Sequence, residues 1–335
     1  MKQYTSLYFV GAGGIGMSAL VRYFLAKGYK VAGYDRTQSP LTTELKTEGL
    51  EIVYEESVES IPDYCRNPET TLVVYTPAIP ASHAGLVYFR EHSFRVVKRA
   101  ELLGLITQSS KGLCFAGTHG KTTTSSMAAH IFHESPIGCN AFLGGILRNY
   151  NSNLILSEQS PFTVIEADEY DRSFHWLHPY MAVVTATDPD HLDIYGTEEA
   201  YLESFARFTS LIQPGGCLIM KKGIKLVPSV KENVKIYTYS ARDGGDFHAG
   251  NIRIGDGTIV FDFVMPEGSV ADIELGVPVE INIENAVAAM AIAWLNGVSG
   301  DDMRRAMASF KGAKRRFEFW VRRPDRVMIE DYAHH

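Results

Sequence analysis

Short apolar runs alternate with helix-spaced stretches from the start of the chain. Residues 7–10 (Leu7, Tyr8, Phe9, Val10) predict a buried strand, residues 15–27 a helix closed by Gly28, and residues 31–35 the next strand. Ser39 followed by Pro40 reads as a helix start, a capping side chain ahead of a residue whose φ is preset for the first turn. Residues 72–75 form another apolar run, ended by Thr76 and Pro77. This β-α-β rhythm predicts a doubly wound parallel sheet over the first part of the chain.

The polar stretch at residues 107–112 reads as a linker, so a first domain is expected over residues 1–106. A fresh strand at residues 113–116 opens the second, with further buried-strand runs at residues 162–165, 181–185 and 218–221. Between residues 234 and 279 the pattern changes. Turns at Gly244-Gly245, Gly255-Asp256-Gly257 and Glu267-Gly268 separate closely spaced β-like runs, which predicts antiparallel strands. Helical spacing returns at residues 282–295 and 301–310, and no internal repeat is visible.

Composition agrees with this organisation. The 335 residues, 45% hydrophobic and 21% charged, are enough for about two domains with real cores, which excludes a disordered or low-complexity chain. Its 32 basic and 39 acidic side chains give a net charge of −7, so no overall field draws a nucleic-acid backbone, and nucleic-acid binding is set aside. The cysteines, Cys65, Cys114, Cys139 and Cys217, are scattered and form no CxxC pair. They read as core thiols of a reducing compartment, hence a cytoplasmic protein. The apolar N-terminal stretch is interrupted by glycines and followed by Arg22 and Lys27, so no membrane insertion is expected.

Two glycine loops carry the candidate chemistry. Gly11-Ala12-Gly13-Gly14-Ile15-Gly16 fits G-x-G-x-x-G between a predicted strand and a predicted helix. Missing side chains let a pyrophosphate reach the backbone, and the helix N-terminus favours its charge. Asp35, at the end of the second strand, suits a ribose hydroxyl, and Arg36 beside it suits a phosphate. The loop asks for a diphosphate nucleotide without choosing one, and NAD is the obvious candidate.

The second loop, Gly117-Thr118-His119-Gly120-Lys121-Thr122-Thr123, follows the strand at residues 113–116 and precedes a helix. It reads as the end of a P-loop: backbone amides for phosphates, Lys121 for the terminal phosphates, Thr122 for Mg²⁺. The full pattern asks for glycine at position 115, where this chain has Phe115. ATP or GTP is expected here, for which a hydride-transfer enzyme has no use. The fold class expected is therefore α/β, a Rossmann-like parallel-sheet domain followed by a P-loop ATPase-like α/β domain with an added antiparallel sheet.

Acidic groups at two strand ends fit a nucleotide site. Glu166, in Glu166-Ala167-Asp168-Glu169, is placed to hold Mg²⁺. Asp188, Asp190 and Asp193 read equally as ligands or as solvated loop. His130 and His133 sit three apart with no third metal ligand evident, and exposed helix surface is the reading preferred for them. His175, His178 and His248 belong to no readable constellation.

In order along the chain, these motifs resemble those of the Mur ligases. The resemblance takes in residues 11–18, 117–124 and 166–169, Asp190-His191-Leu192-Asp193 and Asn282-Ile283-Glu284-Asn285. It continues through Arg315-Arg316-Phe317-Glu318-Phe319 and Asp331-Tyr332-Ala333-His334-His335, and so spans the whole chain. It implies that Gly11, Gly13, Gly14 and Gly16 lie at the diphosphate of a UDP-sugar rather than NAD, with Asp35 and Arg36 near the nucleoside. It implies that residues 107–324 hold ATP: Lys121 on the phosphates, Thr122 and Glu166 on one Mg²⁺ (or Mn²⁺ in its place), His191 at a second metal. Asn285 matches an adenine contact and Asn282 its neighbour one helical turn earlier. Arg316 matches a group facing the phosphates, and Asp331 an acid near the ribose. Lys121, Glu166, His191 and Arg316 are the residues it assigns to the chemistry.

The reaction so implied joins L-alanine to UDP-N-acetylmuramate, using ATP and an acyl-phosphate intermediate, in peptidoglycan precursor synthesis. Residues 325–335 would open a further, amino-acid-binding domain, so the chain is expected to bind nucleotides without completing the ligation. A ligase joining a peptide to the same UDP-sugar is the nearest alternative. An NAD-dependent oxidoreductase and a non-catalytic nucleotide-binding module are the alternatives from other classes.

Overall fold

A computed structural model describes residues 3–242, 244–316, 318–323 and 326–331, so Phe317 and residues 332–335 of the motifs lie outside the described residues. The chain divides into two compact units, residues 1–106 and 107–335. In the first, β1 (Ser6–Val10), α1 (Ile15–Ala26), β2 (Lys30–Tyr34), α2 (Pro40–Thr47), β3 (Glu51–Val53), β4 (Thr71–Tyr75), α3 (Ala84–Glu91) and β5 (Arg95–Lys98) follow in order. The strands form one parallel sheet, β3-β2-β1-β4-β5. The central strand β1 is buried along its whole length, as a strand covered on both faces must be. Ser39 caps α2 through its side chain with Pro40 in the first turn. The order reverses at β1, whose neighbours β2 and β4 lead away on opposite sides, and the glycine loop leaves β1 at that switch point.

Helix α4 (Arg99–Gln108) and β6 (Lys111–Ala116) occupy most of the stretch read as a linker, leaving Ser109 and Ser110 between them. Thr107 explains the difference: its side chain is fully buried and accepts from the His178 amide, so its polarity serves packing rather than solvent. The second unit continues through α5 (Lys121–His133), β7 (Asn140–Leu147), β8 (Ser152–Ile155), β9 (Phe162–Glu166), β10 (Pro179–Val184), α6 (Leu192–Tyr195) and α7 (Glu198–Ser210). Then come β11 (Cys217–Lys221), β12 (Lys235–Ser240), β13 (Phe247–Gly255), β14 (Thr258–Met265), β15 (Gly268–Glu274), α8 (Ile281–Leu295), α9 (Gly300–Ser309), β16 (Glu318–Arg323) and β17 (Arg326–Glu330).

Ten of these strands form one sheet, β15-β14-β13-β12-β11-β10-β6-β9-β7-β8. The antiparallel strands expected after residue 234 begin later. β12 pairs parallel with β11, β13 joins β12 in parallel at Tyr239 and Phe247, and the antiparallel pairing in this stretch runs from β13 through β14 to β15. They extend the parallel sheet rather than standing apart, which buries Phe247, Phe261 and Phe263 in the same core as Phe115 and Ile283. Helix α8 is buried nearly all round, as its largely apolar stretch requires, and α5 is buried from Thr124 to Phe132 although Thr124, Ser125, Ser126 and His130 are polar. Among the described residues, strands β16 and β17 pair only with each other. Among the described residues, no helix is long and apolar enough to cross a membrane.

Candidate active site

In the first unit, Gly11 has φ +90°, and a Cβ there would lie 2.5 Å from Thr76 Cγ2. The Gly11 and Ala12 amides donate to Tyr34 O at 2.8 and 3.0 Å. The Gly13 amide donates to Asp35 Oδ2 at 2.7 Å, and Oδ1 accepts from Thr37 N at 3.1 Å. Asp35 therefore braces the loop at the switch point. Gly14 is the N-cap of α1 and supplies no capping side chain, and a Cβ on Gly16 would collide with the Arg99 guanidinium. Arg36 is exposed. The loop is shaped for backbone approach by a diphosphate, with one cationic side chain, Arg99, against Gly16.

In the second unit, β6 runs into a loop that glycine alone permits. Gly117 has φ +137°, and a Cβ there would collide with Thr185 Oγ1 and sit 2.7 Å from Ala186 N. Gly120 has φ +83°, caps α5 without a side chain, and leaves only 2.9 Å between a notional Cβ and Asn285 Oδ1. Thr185 holds the loop by donating to Ala116 O at 3.2 Å or to His119 O. Thr118 Oγ1 donates to Asp188 O at 2.7 Å and lies 2.9 Å from the Tyr201 hydroxyl. His119 is exposed, its Nε2 4.0 Å from Asp188 Oδ2.

Lys121 and Thr122 open α5. Lys121 Nζ donates to Gly117 O at 2.7 Å and Glu169 Oε1 at 2.9 Å. Thr122 Oγ1 donates to Glu166 Oε1 at 3.0 Å, and Glu166 Oε2 accepts from Gly144 N at 3.2 Å. Burial pushes the Glu166 and Glu169 carboxyls up, while the Lys121 charge pulls both back down. A hydroxyl and a carboxylate held this close are hard oxygen donors of the kind Mg²⁺ takes.

A cleft of about 200 Å³ lies against the other side of the loop. Gly120, Thr123, Asn282, Asn285, Arg316 and Asp331 line it, with Val277, Val279, Ile281, Phe310, Gly312 and Ala313 supplying apolar wall. Thr124 Oγ1 donates to Asn285 Oδ1, Asn285 Nδ2 to Asn282 Oδ1 and Asn282 Nδ2 to Val277 O, each at 3.1 Å. This chain of amides ties the start of α8 to the P-loop helix. A flat heteroaromatic ring with polar edges fits such a half-apolar slot.

A family model described as the Mur ligase middle domain matches residues 115–293, and one described as the Mur ligase family catalytic domain matches residues 6–111. The chain belongs to the Mur ligase family. This Mur ligase chain is 64% identical over 335 residues to the UDP-N-acetylmuramate–L-alanine ligase of Parabacteroides distasonis, covering 100% of this chain and 72% of that protein. The crystal structure of the UDP-N-acetylmuramate-alanine ligase of Thermotoga maritima superposes with a TM-score of 0.83 at 25% identity, over 98% of this chain and 74% of that one. The murein peptide ligase of Psychrobacter arcticus shares the fold, with a TM-score of 0.78 at 24% identity over 99% of this chain and 73% of its own. The family match leaves the hydride-transfer reading of the first loop without support.

Within this Mur ligase architecture, Gly117, Thr118 and His119 form the loop after β6, and the other residues singled out in the second unit fall into three places. Lys121, Thr122 and Glu166 converge at the start of α5, and six others share the cleft. His191 stands apart from the cleft lining: it caps α6 with a left-handed backbone (φ +52°), its amide bonds Asp190 Oδ1 at 2.7 Å, and its ring meets Tyr170 edge-on. Among the described residues, no three His, Cys, Asp or Glu side chains form a metal-binding group. The surface reading of His130 is wrong. It is 1% exposed, because α5 is covered by α8 and α9, while His133 is exposed. Glu169, Gly144, Thr185 and Phe310 went unassigned. Glu169 lies inside the 166–169 motif and Gly144 in a Gly-Gly pair, either of which could mark it, whereas nothing local marks Thr185 or Phe310.

Proposed function

We propose that this chain is the nucleotide-holding part of an ATP-dependent ligase that joins L-alanine to UDP-N-acetylmuramate. The observation that carries the reading is 64% identity, over the whole of this chain, to a protein of that name. Its chemistry is acid activation followed by amide formation. The substrate carboxylate attacks the γ-phosphorus of ATP, giving an acyl phosphate and ADP. The alanine amine then attacks the acyl carbon, the tetrahedral intermediate expels inorganic phosphate, and the ammonium proton is lost.

An anionic carboxylate has to meet an anionic phosphate, so the protein's task is positioning and charge compensation. In this reading Gly11, Gly13, Gly14 and Gly16 receive the UDP diphosphate, with Asp35 and Arg36 toward the nucleoside. Gly117, Thr118, His119, Gly120 and Thr123 cradle the ATP phosphates, and Lys121 and Arg316 face them. Asn282 and Asn285 frame the base, and Asp331 stands toward the ribose. The 3.0 Å approach of the Thr122 hydroxyl to Glu166 fits a divalent cation, which those two residues would hold, with His191 at a second. Such a cation, Mg²⁺ or Mn²⁺, supplies positive charge against the phosphate oxygens. A cytoplasmic setting agrees with four free, buried cysteines.

Calorimetric titration of this chain with UDP-N-acetylmuramate, Mg-ATP and NADH tests the reading. The first two are expected to bind and NADH is not. Preference for NADH over the UDP-sugar would overturn the assignment of the first loop.

A further inference from the structure

The Lys121 ammonium is already occupied. Besides the Gly117 carbonyl and Glu169 Oε1, it has Glu169 Oε2 at 2.8 Å, an oxygen that accepts no aligned hydrogen bond. The pair is shielded: the Lys121 side chain is 14% exposed and that of Glu169 2%. A phosphate entering the loop must take the same ammonium. Glu169 cannot easily follow, because its main chain is pinned. Its carbonyl accepts from the Tyr195 hydroxyl and from the Arg172 amide at 3.0 Å. The turn beyond it holds two consecutive left-handed non-glycine residues, Asp171 (φ +52°) and Arg172 (φ +54°), a geometry that persists only where its surroundings enforce it.

We propose that Glu169 is an internal stand-in for the ATP phosphates, a positioning residue that holds Lys121 in place in the nucleotide-free protein and competes with ATP for it. The proposal rests on the second loop being the ATP site. On nucleotide binding, Nζ passes from a fixed carboxylate to a phosphate, and part of the attraction is spent in breaking the first pair. Glu169 thereby lowers the affinity for ATP while stabilising the empty site, since a buried ammonium without a counter-charge is costly.

The test reads ATP affinity and stability together in the full chain. Glu169→Gln is expected to bind Mg-ATP roughly tenfold more tightly, the scale of one charged hydrogen bond no longer broken, while unfolding at a lower temperature than wild type. A residue with a merely structural role would lower both. Glu169→Asp, which keeps the charge but withdraws it by one methylene, is expected to fall between wild type and Glu169→Gln in affinity, and serves if Glu169→Gln fails to fold. In a Lys121→Met background the gain from Glu169→Gln is expected to shrink to within about twofold, because the effect passes through Lys121. ATP affinity equal to or weaker than wild type in the folded Glu169 variants overturns the proposal, as does a gain that persists undiminished without Lys121. Absence of Mg-ATP binding by the wild-type chain would instead overturn the ATP-site reading on which it stands.

Discussion

The imidazole of His130 is bonded at both nitrogens, Nδ1 to the Tyr150 hydroxyl at 2.6 Å and Nε2 to the Ser309 hydroxyl at 2.9 Å. Tyr150 in turn donates to Glu134 Oε1 at 2.9 Å, so its oxygen accepts from Nδ1–H, while the Ser309 hydroxyl donates to Ala306 O at 3.1 Å. The ring links the P-loop helix to the end of α9. Burial drives its pKa down to about 4, with Glu134 pulling it back and His133 pushing it further down. Unfolded, the ring titrates near 6.5. Between these values the unfolded chain binds the extra proton, so the stability this group contributes is complete above about pH 6.5 and is lost as pH falls toward 4. Urea unfolding at pH 7 and pH 5 is expected to show about 2 kcal/mol of loss in wild type that is missing from His130→Gln. Equal losses in the two proteins would contradict the assignment.

The wall of the cleft formed by residues 310–316 is neither helix nor strand, and it takes its shape from the turn between β7 and β8. Arg148 N donates to Gly312 O at 2.9 Å, Lys314 N to Ile146 O at 2.8 Å, and Lys311 N to Asn149 Oδ1 at 2.9 Å. Asn149 Nδ2 donates to Ser309 O at 2.9 Å, and Leu147 bridges Ala313. From the other side the end of α9 rests on Gly276, where a Cβ would collide with Phe310 O and lie 2.9 Å from Ala308 O. Gly276→Ala is expected to destabilise the chain by about 2 kcal/mol through overpacking and to weaken Mg-ATP binding while leaving UDP-N-acetylmuramate binding unchanged. Gly255→Ala, with nothing within 4 Å of the new methyl group, is the control. Thermal unfolding and titration of both variants check this, and similar losses in the two would remove the packing argument.

Each of the two units has its own core, one built on Tyr8, Val10, Val73 and Phe89, the other on Phe115, Val183, Phe261 and Ile283. Each also carries its own loop at the carboxyl end of a central parallel strand. Saturating each site at about 100 times its dissociation constant stabilises the bound state by about 2.7 kcal/mol. In hydrogen exchange, UDP-N-acetylmuramate is expected to protect amides of residues 11–20, and Mg-ATP those of residues 117–130 and 281–290. Protection of residues 117–130 by the UDP-sugar alone would contradict the division of ligands.

The two loops could be read directly because a phosphate cradle is a local object. Strand end, glycines and helix N-terminus are contiguous, so Gly11–Gly16 and Gly117–Thr122 announce themselves within a dozen residues. The alternation of buried runs with helical spacing likewise outlined α1, β6, α5 and α8, since periodicity records how an element is covered. It does not record by what. Packing across long sequence separations set Glu169 on Lys121, Glu166 on Gly144, Thr185 under Gly117 and Asn285 against Thr124. The same packing put His130 inside while His133, three residues on, stayed outside. Partner choice is a property of the assembled core, where close packing and the cost of an unpaired buried group select one arrangement among many that the chain's local preferences allow.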